Sequence, residues 1–471
     1  MNQNNQKILL TCLSLTVVIC LCLSVVGIGA AGYLLWADSA SPASVPQTLL
    51  TASPQESTPT PDAAGTPIPE GSLPAEITSQ MDEIESQVQE IRGLKASQPI
   101  ERQLFTSTAL QRHVTENFLA DYTPEEAHDD VLSLSAFGLL PPDFELLPFM
   151  QNLYSEQVAG FYDDEVKAMY VVQDAGFRGP QRMTYAHEFV HALQDQNFGL
   201  GAALGISDEQ CQADSEHCAA VQALVEGDAS LVEETWLHTF ATDQDFTDLF
   251  DFYGHFHSPI YDSAPLFLQS DFLFPYQQGK DFVQHLYDSG GWEAVNVAYT
   301  TLPQSTEQIM HPERYPNDAP QTVNLPDLLP LLPADWREVD HGTLGEWYTY
   351  LMLSQGWQNV ARLPDDIGLD AAAGWGGDAY TVFYAPDERR FVLAMDIRWD
   401  TEADASTFRR ALLRYVSRRF NASTQNPADG LWVWETDSLA SALHQDGART
   451  VWVIAPDLTL ADTLWEALKT P

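Results

Sequence analysis

The chain is short of positive charge. Lysine and arginine together number 22 against 67 aspartates and glutamates, a formal net charge of −45 over 471 residues. Such a balance repels polyanions and excludes nucleic acid as a partner. Lysine is confined to Lys7, Lys95, Lys167, Lys280 and Lys469, and the acidic surface carries self-repulsion that salt, acid or bound cations relieve. Cysteine is scarce too. Cys12, Cys20 and Cys22 fall in an N-terminal apolar stretch, where thiols are ordinary small apolar residues, leaving Cys211 and Cys218 as the pair beyond it. In the polar run DEQCQADSEHCAA these two close a small disulfide loop if the segment lies outside the cytosol, and stay reduced otherwise. With only His217 between them they make a poor tetrahedral zinc set. No internal repeat of roughly 20–50 residues is present. Apolar material is not lacking: 45% of residues are hydrophobic and 11% aromatic, enough for a substantial core and against global disorder.

Residues 8–36 carry no charge, a run longer than the roughly 20 residues that span a bilayer and longer than the apolar part of a secretory signal. An uncleaved transmembrane signal-anchor is expected there, although Ala30 and Ala31 would permit cleavage. Lys7 before the span and Asp38 after it orient residues 1–7 as a cytoplasmic tail and the remainder as extracytoplasmic. Residues 37–74 are rich in Ser, Thr, Pro and Ala and read as a tether.

Beyond the tether, apolar spacing predicts helices over 77–94 and 104–119. The run 149–160 reads helical, and GFYDDEVKAMYVV places an Asp163-Asp164 turn between two β pieces, with 166–172 as an edge strand. Pro180 and Gly199 bracket a helix over 181–197, and 219–240 is another long helix. From 334 onward the pattern changes to a helix (344–355), strands (379–385 and 391–399), a helix (402–419), strands (431–435 and 449–455) and a terminal helix, an α+β segment. WGGD at 375–378 reads as a glycine-built turn before a strand.

The helix over 181–197 contains His187-Glu188-Phe189-Val190-His191. Histidines at i and i+4 stand one turn apart on one face, where both imidazoles reach one tetrahedral Zn²⁺, while Glu188 projects near its open position. Zinc lowers the pKa of a bound water towards about 7, and an adjacent carboxylate accepts its proton. A third ligand is needed. Glu226 and Glu233 share one face of the later helix and spacing does not choose between them; Glu226 is preferred because Gly227 beside it permits close helix approach. Asp228 and Asp195 are candidates to orient a ligand imidazole.

The runs TYAHEFVHALQDQNF, ALVEGDAS and STEQIMHPERYP resemble the gluzincin class of zinc metallopeptidases and, more closely, a group of bacterial membrane-anchored metallopeptidases, over roughly residues 150–320. A weaker echo continues in LGEWYTYLML, AAAGWGGDAYTVFY and WDTEADASTF. The resemblance implies His187, His191 and Glu226 as ligands of one catalytic Zn²⁺ and Glu188 as general base. It departs at Ser230, where thermolysin-like enzymes place an Asp. His311 and Tyr315 in STEQIMHPERYP are candidate donors to a developing oxyanion, with Arg314 available to pair with an acid. By class, an extended substrate adds to the strand over 166–172, and the aromatic stretch 246–276 lines the cleft or packs the core.

The expectation is therefore an α+β protein: a mainly helical zincin-like core with a small edge sheet over 75–333, an α+β segment over 334–471, and an N-terminal membrane helix. Its expected activity is zinc-dependent hydrolysis of protein or peptide substrates on the outer side of a membrane. The competing readings are a zinc-stabilised binding ectodomain with little turnover and a scaffold without zinc. Oligomeric state is not legible.

Overall fold

Apolar residues one turn apart build helix α1 (Ala75–Arg92), which buries Met81, Ile84 and Val88 and stops at Gly93. The φ of 75° there is a left-handed conformation that glycine adopts without strain. In the computed structural model the described residues are 19–21, 68–69, 73–106, 109, 112–113, 119, 122–172 and 176–469. The membrane helix expected over 8–36 and the tether over 37–74 lie outside them, short pieces aside. No helix among the described residues is long and apolar enough to cross a membrane.

Strands β1 (Glu101–Phe105), β2 (Val158–Asp163) and β3 (Ala168–Val172) form a first sheet, with β2 and β3 an antiparallel hairpin and β3 parallel to β1. The pieces Ile19–Leu21 and Ile68–Pro69 pair with β2 and β1 on their outer sides, and the first, inside the run expected as a membrane helix, is a strand at these three residues. Two further expectations are corrected here. The helix read over 104–119 begins instead as the end of β1, and much of the remainder lies outside the described residues. The strand read over 166–172 is not an edge. Asp163 Oδ1 accepts from the backbone N–H groups of Glu165 and Val166, and Lys167 takes a φ of 58°, so the turn consumes these residues. The strand starts at Ala168, between β2 and β1. Ala168 through Val171 are all buried, the signature of a strand covered on both faces rather than one at a rim.

Helices α2 (Pro124–Phe137) and α3 (Leu146–Gln157) precede the hairpin. After it come α4 (Gly179–Phe198), α5 (Ser215–Thr239), α6 (Asp243–His255), α7 (Leu266–Ala298) and the short α8 (Thr306–Met310). Helix α7 breaks its own path at Gly290 and Gly291. Cys211 and Cys218 are joined as a disulfide, fastening the six-residue helical segment Asp208–Ala213 to the first turn of α5. The aromatic stretch 246–276 divides: Phe246 and Phe250 of α6 are exposed, whereas Phe267, Phe272, Phe274 and Tyr276 of α7 pack the core.

The C-terminal part is a seven-stranded, wholly antiparallel sheet. Its strands are β4 (Arg337–Gly342), β5 (Trp375–Tyr384), β6 (Phe391–Trp399), β7 (Gln425–Ala428), β8 (Leu431–Glu435), β9 (Ala440–Asp446) and β10 (Arg449–Ala455), in the order β4-β5-β6-β10-β9-β8-β7. Helices α9 (Gly345–Ser354), α10 (Asp365–Ala372), α11 (Glu402–Arg419) and α12 (Leu458–Leu468) complete it. Alternation along each strand feeds two cores. Val382, Met395 and Trp452 join a core that runs back to Leu153 and Phe267, while Phe383, Ala394 and Val453 meet Leu464 of α12. The sheet thus shares one core with the helices before it, and the chain is α+β. WGGD is a bulge inside β5 rather than a turn before it. The register slips between Trp375 and Gly377, and a Cβ at Gly377 would stand 2.3 Å from the Gln321 carbonyl oxygen.

Candidate metal centre

Helix α4 starts with Gly179 and Pro180, where the Gly179 N–H donates to Asp248 and the missing proline N–H costs nothing. Its middle is buried on every side, so His187, Glu188 and His191 are all fully inaccessible. Their imidazoles meet edge to face with ring centres 4.9 Å apart. Into the angle between them comes Glu226 of α5: its Oε2 lies 3.2 Å from His187 Nε2 and 3.6 Å from His191 Nε2. The donor atoms of these three side chains all lie within 4.8 Å of one another.

Glycine allows α5 to deliver Glu226. A Cβ on Gly227 would fall 2.1 Å from the Gly279 carbonyl oxygen, and one on Gly279 would fall 2.1 Å from that of Ala223. Helices α5 and α7 therefore touch backbone to backbone beside the carboxylate, as the sequence reading of Gly227 anticipated. The same approach brings Tyr276 of α7, one turn before Gly279, to 6.3 Å between its ring and that of His187.

The two acids on that face of α5 take different positions. Glu233 is bonded behind His187, its Oε2 3.1 Å from Nδ1, and does not face His191. His191 Nδ1 is bonded to Gln194 Oε1 at 2.7 Å. Asp228 and Asp195, proposed from sequence to orient an imidazole, touch neither ring. Asp228 bonds Gln194, Tyr299 and Arg92, while Asp195 bonds Lys167 and the Tyr162 hydroxyl.

Electrostatics bind the group together. Burial alone would lower the His187 pKa, but the hydrogen-bonded carboxylates of Glu226 and Glu233 outweigh it and lift the group to about 10. Burial likewise opposes ionisation of Glu226, yet the two histidines hold it at about 2. His191 is lowered, burial being the main cause. The ion-pair partners of Glu226 among the described residues are imidazoles, not Lys or Arg. His191 Nε2 is buried without a hydrogen-bond partner. Two imidazole nitrogens, one of them without a hydrogen-bond partner, and one carboxylate are a three-atom donor set that fits Zn²⁺. Glu188 stands beside it, its Oε2 accepting the Tyr162 N–H of β2 at 2.8 Å.

The structure does not bring His311 and Tyr315 to this group. His311, at the end of α8, is bonded through Nε2 to Glu346 of α9 at 2.8 Å. Tyr315 donates its hydroxyl to the Thr301 carbonyl and packs edge-on against Phe282. Arg314 between them pairs with Glu307, Asp318 and Asp400. HPERYP is thus a fastening between α8 and the C-terminal sheet. Sequence reasoning missed Gln194, although its place one turn after His191 was a signal. It also missed Arg92 and Gly279, whose partners lie far away in the chain.

A family model described as Domain of unknown function (DUF8575) matches residues 332–465, the part that carries the second sheet. No curated protein and no solved structure matches the chain.

Proposed function

We propose that this chain is a zinc-dependent peptidase of gluzincin type, held to a membrane by residues 8–36 with its catalytic part on the extracytoplasmic side. The observation that carries the reading is the convergence of His187 Nε2, His191 Nε2 and Glu226 Oε2 in a buried angle, with Glu188 as the next residue after the first ligand. His187, His191 and Glu226 would hold the ion, and Zn²⁺ so held makes water acidic enough to be a nucleophile near neutral pH. Glu188 accepts the proton of the attacking water and returns it to the leaving amine. Its Oε2 is fixed by Tyr162 N–H, so the carboxylate is oriented before substrate arrives. Glu233 and Gln194 hold the two imidazoles by their Nδ1 atoms, leaving the Nε2 atoms to face Glu226. The disulfide between Cys211 and Cys218 supports an oxidising, extracytoplasmic setting.

Glu188→Gln tests the reading against a zinc-stabilised binding protein. The wild-type chain should cleave members of a peptide library and contain about one zinc per chain, as for a one-ion catalytic site. The variant should keep the zinc and lose cleavage by roughly 100-fold or more. A wild-type chain prepared without chelator and free of zinc would end the proposal. Equal product from the two proteins would reduce it to binding alone.

A further inference from the structure

Arg92, the last residue of α1, is completely buried. Its Nε and Nη2 donate to the two oxygens of Asp228 at 2.7 and 3.0 Å, and Nη1 donates to Asn296 at 2.8 Å. The guanidinium also lies 4.6 Å from the Trp292 ring centre. Burying such a pair is costly, and replacement by packed apolar side chains is often neutral or stabilising. The pair invites a reason beyond stability.

That reason lies one bond further on. Asp228 Oδ2 also accepts from the Tyr299 hydroxyl at 2.8 Å and from Gln194 Nε2 at 3.2 Å. Gln194 Nε2 donates as well to the Val225 carbonyl at 2.9 Å. A carboxylate and a backbone carbonyl accept and do not donate, so the amide of Gln194 can stand only one way round. Its Oε1 must face His191. Nδ1 of His191, 2.7 Å away, therefore carries the hydrogen, and the lone pair is left on Nε2, the atom that faces Glu226.

We infer that Arg92 is a positioning residue of the metal centre: through Asp228 and Gln194 it fixes the tautomer and orientation of His191, and so makes the first helix after the N-terminal tether part of the zinc site. The inference rests on the zinc reading above and adds to it which distant residue sets ligand quality. His187 needs no such chain, because a carboxylate, Glu233, meets its Nδ1 directly.

The test uses the full chain and two readouts, zinc affinity by chelator competition and the visible absorption of the cobalt(II)-loaded protein. Arg92→Met and Gln194→Leu should each weaken zinc binding roughly 10–100-fold, the usual loss when a ligand's supporting partner is removed, and alter the cobalt spectrum. Arg92→Lys should retain more affinity than Arg92→Met. Gln87→Leu is the structural control. It cuts another bond from the same helix, Trp236 Nε1 to Gln87 at 2.8 Å, and should lower the melting temperature while leaving zinc affinity unchanged. If Arg92→Met does not fold, Gln194→Leu alone decides, since it removes only the last link. Wild-type zinc affinity within twofold in Gln194→Leu, with wild-type zinc binding intact, overturns this inference and leaves the proposed function standing. No zinc in the wild type overturns both.

Discussion

Two close-set groups of metal-ligand side chains differ in their make-up: one is fully buried and holds two histidines, the other is carboxylates alone and only partly buried. In the first, His187, His191 and Glu226 converge, the carboxylate meeting imidazoles rather than an ammonium or a guanidinium. In the second, Glu307, Asp318 and Asp400 also bring their oxygens within 4.8 Å of one another, but Arg314 Nη1 stands among them, 2.6 Å from Glu307 and 3.2 Å from Asp318. His311 and Glu346 flank that group. Proximity of acids therefore does not distinguish a metal site from a clasp. The distinction is whether the chain supplies its own fixed cation. The clasp contains a guanidinium that remains charged at any working pH, whereas the first group contains imidazole nitrogens that, when neutral, offer a lone pair.

Exchanging ligands should give the largest effect. Glu226→Gln should abolish zinc retention at micromolar metal, whereas Glu233→Gln should keep the ion and weaken it by roughly 10–100-fold, both measured by chelator competition. The reverse ranking would assign the third ligand to Glu233 and undo the contrast between facing and supporting acids. Arg314→Met should act on the second group only. It removes the cation from partly buried carboxylates and should cost about 2–3 kcal/mol in urea unfolding, with zinc content unchanged. Loss of zinc in that variant would mean that the clasp and the centre are one unit. A smaller and mixed effect is expected from Gly279→Ala. Overpacking against the Ala223 carbonyl should cost about 1–3 kcal/mol, and zinc affinity should fall because α7 would push α5 and Glu226 aside.

How much of this was legible in the sequence follows from the reach of each interaction. The helix with both histidines was readable because i and i+4 spacing is local, and Gly227 pointed correctly to a close helix approach. Choice between Glu226 and Glu233 was not, since both lie on one face and only the placement of α4 separates the acid that meets both Nε2 atoms from the one bonded at His187 Nδ1. The strand over 166–172 looked like a rim because its partner β1 was not read as a strand, its last two residues being taken as the start of a helix over 104–119. His311 and Tyr315 carried the right chemistry for an oxyanion but sit where Glu346 and the Thr301 carbonyl hold them. Most of β5 and the whole of β6 and β10 were readable as strands; that one face of their sheet would complete the core of the helices was not.

The mildest measurement separates the two groups by their response to pH. Around the clasp, burial and neighbouring acids push carboxyls up: Glu307 to about 9, burial first and Glu346 second, despite Arg314. Glu216, which accepts the Thr306 N–H and hydroxyl at the start of α8, is raised by burial to about 8. At the candidate metal centre Glu226 is instead held at about 2. A carboxyl raised above its unfolded value of 4.5 keeps its proton in the native state after the unfolded chain has released it. Its stabilising contribution is complete below that value and is lost as pH rises through the folded pKa. Glu226 works in the opposite sense, losing its contribution as pH falls through about 2, so it does not intrude between pH 5 and 8. Glu216→Gln keeps the acceptor for Thr306 without the charge. It should match wild type near pH 5 and exceed it in unfolding free energy near pH 8, by on the order of 2–3 kcal/mol. An equal difference at both pH values would show that Glu216 is ionised throughout, and would remove the charge contrast between the clasp and the centre.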